Sequence, residues 1–187
     1  MLALQQAISE GNIPDARIAA VISDQPNAPG IRLAGEGGLK TLVIDRRGRI
    51  REEHDREIVA ALRENEVDLV CLAGYMRLLS RYFIDVHRGH ILNIHPSLLP
   101  AFPGLEAPRQ ALEHGVKWSG CTVHFVDESL DGGPIVGQRI VPVLDGDTEE
   151  TLSARILAHE HQLYPESVAL VLSGQYEIVG RRVLRKN

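Results

Sequence analysis

Cysteine is scarce in this chain of 187 residues, which has two, Cys71 and Cys121. Both sit in apolar, strand-like runs, so they read as buried reduced thiols rather than a disulfide or a metal pair. Long apolar runs are missing too, and nothing approaches the ~20 residues that a bilayer-spanning helix needs. Basic residues do not prevail: 20 Lys and Arg against 25 Asp and Glu leave a formal charge of −5. That balance excludes a general attraction to nucleic acid or to an anionic membrane. No secretory leader is read, since Met1 runs straight into a helix-like segment, and a cytoplasmic protein is expected. No repeat, low-complexity tract or linker divides the sequence, so residues 1–187 are expected to form one domain with a sizeable core. Gly35-Glu36-Gly37-Gly38 lacks the Lys-Ser/Thr of a phosphate loop and reads as a helix end before a strand.

What is present is an alternation of short apolar runs with helical periodicities. Strands are expected over Arg17–Ile22, Leu42–Ile44, Asp68–Ala73, His90–Ile94, Gly120–Val126 and Ile135–Val143. The continuous apolar runs Arg17–Ile22 and Asp68–Ala73 suit parallel strands buried on both faces. Helices are expected over Leu2–Ser9, Glu52–Glu64, Ser80–Arg88, Arg109–His114 and Thr148–Ser173, the last kinked or interrupted at Pro165. Tyr176 to Leu184 alternates enough to form a hairpin. The pattern implies an α/β fold, Rossmann-like, with a mainly parallel sheet flanked by helices. Ligands of such sheets bind beyond the carboxyl ends of the strands. Three segments follow such ends: Gly74–Leu79, Asn93–Pro100 and Asp127–Gly133.

The run Ile91-Leu-Asn93-Ile-His95-Pro96-Ser-Leu-Leu-Pro100, with Asp131-Gly-Gly-Pro134 downstream, carries the chemistry. Residues i and i+2 of a strand share a face, so Asn93 and His95 point into one volume where a strand ends. An amide donor, a titratable ring and an acid together suit acyl transfer at a carbonyl. Asn93 can donate to a developing oxyanion, His95 can move a proton, and a carboxylate beside the ring favours its charged form. Taken singly, each residue has a plain reading: Asp131-Gly-Gly-Pro is a turn, and His95 a satisfied, half-buried ring. His54, His87, His90, His114 and His159 are expected at the surface or in packing. His159 and His161, two apart on a helix, make a poor chelate, and no metal site is expected.

These motifs resemble the signature of the folate-dependent formyltransferases, in the form that acts on glycinamide ribonucleotide in purine synthesis. The likeness runs from about Met1 to the region of Gly174 and includes Leu72-Ala-Gly-Tyr-Met-Arg-Leu-Leu79 and Thr122-Val-His-Phe-Val-Asp127. The resemblance implies 10-formyltetrahydrofolate as co-substrate and Asn93, His95 and Asp131 as catalytic residues, with His124 in support. It assigns folate contacts to Arg51, Met76, Arg77, Leu78, Leu79, Asn93 and Asp127, Glu128, Ser129, Leu130 and Asp131. It assigns ribonucleotide contacts to Leu157, Ala158, His159 and Glu160. It implies small-molecule partners only, a monomer or a homodimer, and neither nucleic acid nor membrane.

The chain departs from that family at its start. Members open with a buried strand and a Gly/Ser/Asn-rich loop whose N–H groups hold a phosphate. Here the sequence begins inside the helix that follows, with Met1-Leu-Ala-Leu-Gln-Gln-Ala-Ile8. Two readings compete: the true start lies upstream of Met1, or the chain is short, with two unpaired sheet edges and weak ribonucleotide binding expected; the folate half is untouched by either. Glu106-Ala107-Pro108 also departs from the histidines frequent there. Two alternatives stand beside the transferase: a 10-formyltetrahydrofolate hydrolase, or a folate- or nucleotide-binding module without turnover.

Overall fold

The computed structural model describes residues 1–186, and helices alternate with strands through most of it. In order these are α1 (Leu2–Ser9), β1 (Val21–Ser23), α2 (Pro29–Glu36), β2 (Thr41–Val43), α3 (Arg51–Glu64), β3 (Val70–Leu72) and α4 (Arg81–Val86). Then follow β4 (Ile91–His95), α5 (Ala107–Glu113), β5 (Trp118–Phe125), β6 (Ile135–Pro142), α6 (Glu149–Ser173), β7 (Tyr176–Val179) and β8 (Arg182–Arg185). Local chemistry sets several boundaries. Gly37 caps α2 within the glycine run, and the Ser80 hydroxyl caps α4 by accepting the Phe83 N–H. Thr148 and Thr151 exchange hydrogen bonds at the start of α6, where Glu149 and Glu150 also complement the helix dipole.

The fold is α/β. Strands β3-β4-β5-β6-β8-β7 form one sheet, parallel between β3 and β4 and antiparallel through β4, β5 and β6. Strands β1 and β2 form a separate parallel pair. Among the described residues, the second edge of β1 and that of β3 have no strand partner. The two sheets nevertheless share an apolar cluster, to which β1 contributes Ile22 and β3 contributes Val70 and Leu72. The expected strands Arg17–Ile22 and Asp68–Ala73 thus form only as three-residue β1 and β3, half-buried rather than buried on both faces. An edge without a neighbour leaves part of each strand open to water.

Each face of the main sheet carries its own core. On one, Ala7 of α1, Ala111 of α5 and Leu152, Ile156 and Leu163 of α6 pack on Leu92, Cys121 and Val123. On the other, Ile58, Val59 and Leu62 of α3 and Phe83 of α4 pack with Ile44 and Ile91. Ile91 and Leu92 therefore point to opposite faces, and alternation puts Asn93 and His95 on the side of Ile91. Cys121 is fully buried and Cys71 half-buried, and both are free thiols. Helix α6 runs through Pro165 without interruption. Leu163, Tyr164, Pro165, Ser167 and Val168 are all buried, so packing on both sides of the proline holds the helix together. The terminal hairpin is formed by β7 and β8. No helix is long and apolar enough to cross a membrane among the described residues.

Candidate active site

The end of β4 delivers Asn93 and His95, and the antiparallel register sets His124 opposite Asn93 and Thr122 opposite His95. His124 is buried, and its Nδ1–H donates to the Phe125 carbonyl at 2.8 Å. That bond leaves Nε2 as an acceptor, which the Asn93 amide fills at 3.2 Å. Burial lowers the His124 pKa, with the Phe125 carbonyl and Asp131 opposing, so the ring stays neutral and keeps its acceptor. Asn93 retains one further N–H, free of protein partners among the described residues.

His95 is buried, and its Nε2 lies 2.9 Å from the Phe102 carbonyl, to which it donates. Its Nδ1 faces Asp131 Oδ2 at 3.6 Å. The other oxygen of Asp131 is 3.8 Å from His124 Nε2. Asp131 has φ of +48° and is held there by the Gly104 N–H, which donates to Oδ2 at 2.8 Å. Left-handed backbone is costly for residues other than glycine, and Asp is among the few that tolerate it. The next glycines serve the same turn: a Cβ at Gly133 would sit 1.9 Å from the Phe125 carbonyl oxygen. Asp131-Gly-Gly-Pro is thus a turn, and it also aims a carboxylate at two rings.

A second layer fixes the segment after His95. Thr122 Oγ1 donates to the Ser97 carbonyl at 2.7 Å and accepts from the Leu99 N–H at 3.1 Å. Gln138 Nε2 donates to the Leu99 carbonyl at 2.9 Å. The sequence marks neither Thr122 nor Gln138 as a site residue, because their partners, the Ser97 and Leu99 backbone groups and each other's side chains, are brought close only by the β4–β5 and β5–β6 pairings.

The other expected contacts fall into groups. Met76 and Leu78 are exposed at 68% and 54%, and Leu79 is half-buried against the Phe83 cluster. Leu78 is therefore free to wall a ligand slot, while Leu79 serves the core. Arg77 points its guanidinium at the His54 ring, 3.3 Å from Nδ1. Arg51 is exposed at the start of α3, one turn before His54 on the same helix. Asp127 accepts the Ser129 N–H at 2.8 Å. Glu128 pairs with Arg81 of α4 at 3.9 Å and with Arg88 at 3.6 Å, tying the 127–131 loop to the segment beyond β3. Leu130 is exposed. Leu157, Ala158, His159 and Glu160 lie on α6, which packs on the sheet face opposite Asn93 and His95, and among the described residues no hydrogen bond joins them to Asn93, His95 or Asp131. Glu160 is half-buried, and desolvation raises its pKa, so it is not a freely solvated carboxylate. Among the described residues no group of three or more His, Cys, Asp or Glu is arranged to hold a metal.

An amide with a spare donor, a buried imidazole and a carboxylate at one strand end form the constellation needed for acyl transfer. The formyl transferase family model matches residues 2–168. The trifunctional purine biosynthetic protein adenosine-3 of Drosophila melanogaster is 46% identical over 160 residues, covering 85% of this chain and 12% of the relative. The chain therefore spans only about an eighth of that relative's length. The phosphoribosylglycinamide formyltransferase of Escherichia coli is 41% identical over 162 residues, covering 86% of this chain and 76% of the relative. A crystal structure of glycinamide ribonucleotide transformylase 1 from Symbiobacterium toebii superposes with a TM-score of 0.96 at 51% identity, covering 99% of this chain and 87% of that one.

Proposed function

The chain belongs to the formyl transferase family, and from that premise we propose that it transfers the formyl group of 10-formyltetrahydrofolate to the amine of glycinamide ribonucleotide, as a phosphoribosylglycinamide formyltransferase of de novo purine synthesis. The observation that carries this reading is the Asn93–His124–Asp131–His95 cluster at the end of β4.

In the reaction the amine attacks the formyl carbon, and the carbonyl electron pair moves onto oxygen. Collapse then breaks the bond to the folate nitrogen, which gains a proton as the amine loses one. Asn93 serves as the oxyanion donor through the N–H that His124 does not use. One such donor contributes on the order of 10²–10³ in rate. His95 handles the proton. Its Nε2–H is committed to Phe102, so Nδ1 is the position that gains or gives a proton, with Asp131 paired to it. Leu78 and the residues from Asp127 to Asp131 border the pterin slot. Arg51 and Arg77 meet the folate carboxylates. Leu157, Ala158, His159 and Glu160 receive the ribonucleotide, Glu160 as acceptor for its hydroxyls. The protein works on these two small molecules in the cytoplasm, as a monomer or homodimer.

The test is steady-state turnover with both substrates. Wild type is expected to release tetrahydrofolate only when glycinamide ribonucleotide is present. Asn93→Ala is expected to lose turnover by roughly two to three orders of magnitude at unchanged melting temperature. Full activity in a folded Asn93→Ala protein rejects the assignment. Release of tetrahydrofolate with water alone points to a hydrolase instead.

A further inference from the structure

Two adjacent residues of α3, His54 and Asp55, expose no surface at all. A histidine and an aspartate are rarely buried unless their polar atoms are engaged. His54 Nε2 lies 2.7 Å from the Ile44 carbonyl and donates to it. This fixes the tautomer, makes Nδ1 an acceptor, and turns that acceptor to the Arg77 guanidinium at 3.3 Å. Asp55 Oδ2 accepts the Ser80 N–H at 2.6 Å. The stretch from Arg77 to Ser80 is therefore held from α3 at both of its ends. Between them lie Leu78 and Leu79.

The arrangement costs more than helix packing requires. Asp55 Oδ1 is buried without a hydrogen-bond partner, as is the Tyr75 hydroxyl on the same segment. An unpaired buried acceptor costs the desolvation of that atom, and an apolar residue at position 55 would avoid it. Neither residue touches the catalytic cluster, and both act on the segment that follows β3.

We propose that His54 and Asp55 are positioning residues for the folate: they set the Arg77 guanidinium and the Leu78 wall without touching the ligand. This rests on the folate reading of the Met76–Leu79 segment. His54 orients Arg77, and Asp55 anchors the backbone where that segment enters α4.

Calorimetric titration of 10-formyltetrahydrofolate, beside steady-state kinetics, tests this on the whole chain. His54→Leu removes both ring nitrogens and is expected to raise the folate Kd and KM about tenfold, which corresponds to 1.4 kcal/mol. The KM for glycinamide ribonucleotide, and kcat at saturating folate, stay at wild-type values. His54→Gln keeps one donor and one acceptor and is expected to restore folate affinity to within about threefold of wild type. In an Arg77→Ala background, His54→Leu adds nothing further, because its effect runs through Arg77. Asp55→Asn keeps an acceptor for Ser80 and gives a second variant of smaller perturbation, with a two- to fivefold rise in folate Kd expected. Effects of His54→Leu that persist in the Arg77→Ala background, or that fall equally on both substrates, overturn the inference and leave a purely structural pair. Failure of the wild-type chain to bind folate overturns the folate reading itself; wild-type binding with unchanged affinity in all three variants overturns only this inference.

Discussion

His124 decides where the Asn93 amide points. Its Nδ1–H is bound to the Phe125 carbonyl, so the ring has a single acceptor, and that acceptor faces the amide. His124→Leu is expected to leave Asn93 in place but free to rotate. Turnover should fall about three- to tenfold, in line with the roughly 1 kcal/mol of one hydrogen bond, while the KM values of both substrates stay the same. Steady-state kinetics measure this, and an unchanged kcat would show that Asn93 is oriented by other groups. His54 shows the opposite case at the same scale. It is a buried packing residue, as one of the two readings of the sequence has it, and its ring also bridges the exit of β2 to the guanidinium of Arg77.

Helix α6 carries its own tension. Folding withdraws Glu160 from water and raises its pKa above the usual 4.5. The folded protein then binds that proton more tightly than the unfolded chain does. The cost in stability is absent below about pH 4.5, grows as pH rises towards the folded pKa, and is constant above it. Glu160→Gln is therefore expected to melt at higher temperature than wild type at pH 7.5, with the gap closing on acidification to pH 4. Thermal melts across this range measure it, and a gap of equal size at both ends would mean that ionisation of Glu160 is not the cause. The rest of α6 is stable by packing, since Leu163, Tyr164 and Val168 bury their side chains on either side of Pro165. The Tyr164 hydroxyl lies 2.8 Å from the Leu72 carbonyl and 3.1 Å from that of Leu92, which ties the helix to β3 and β4.

The molecule as a whole is unevenly held. Seven of the eight residues of β5 are buried, and the strand pairs with β4 on one side and β6 on the other. The β1–β2 pair has three residues per strand, partly open to water, and no further strand beside it among the described residues. Regions with fewer buried contacts open first. The Val21 and Ile44 amides, bonded to Lys40 and Ser23 carbonyls, are expected to exchange with solvent at least about a hundredfold faster than those of Phe125 and Val126. Native-state hydrogen exchange followed by NMR measures the order. Equal protection in both groups would make the two sheets one cooperative unit.

The sequence by itself determined the alternation of elements, the helix start at Leu2 and the Thr148 cap of α6, the terminal hairpin, and the placing of Asn93 and His95 on one strand face. Each depends on period, caps and turn residues that act within a few positions of each other. The likeness around Asn93-Ile-His95-Pro96 and Asp131-Gly-Gly-Pro134 reached further and pointed to the family. Only the tertiary structure decided that Asp131 stands between His95 and His124, that Thr122 and Gln138 brace the 97–99 segment, and that His54 and Asp55 hold Arg77 and Ser80. It also decided that β1 and β3 are short and half-buried, where apolar runs alone suggested full burial. Partners such as Asn93 and His124 lie 31 residues apart in the chain, and Tyr164 and Leu72 lie 92 apart. Their meeting depends on strand register and on what lies beside each edge, and local pattern carries no record of either.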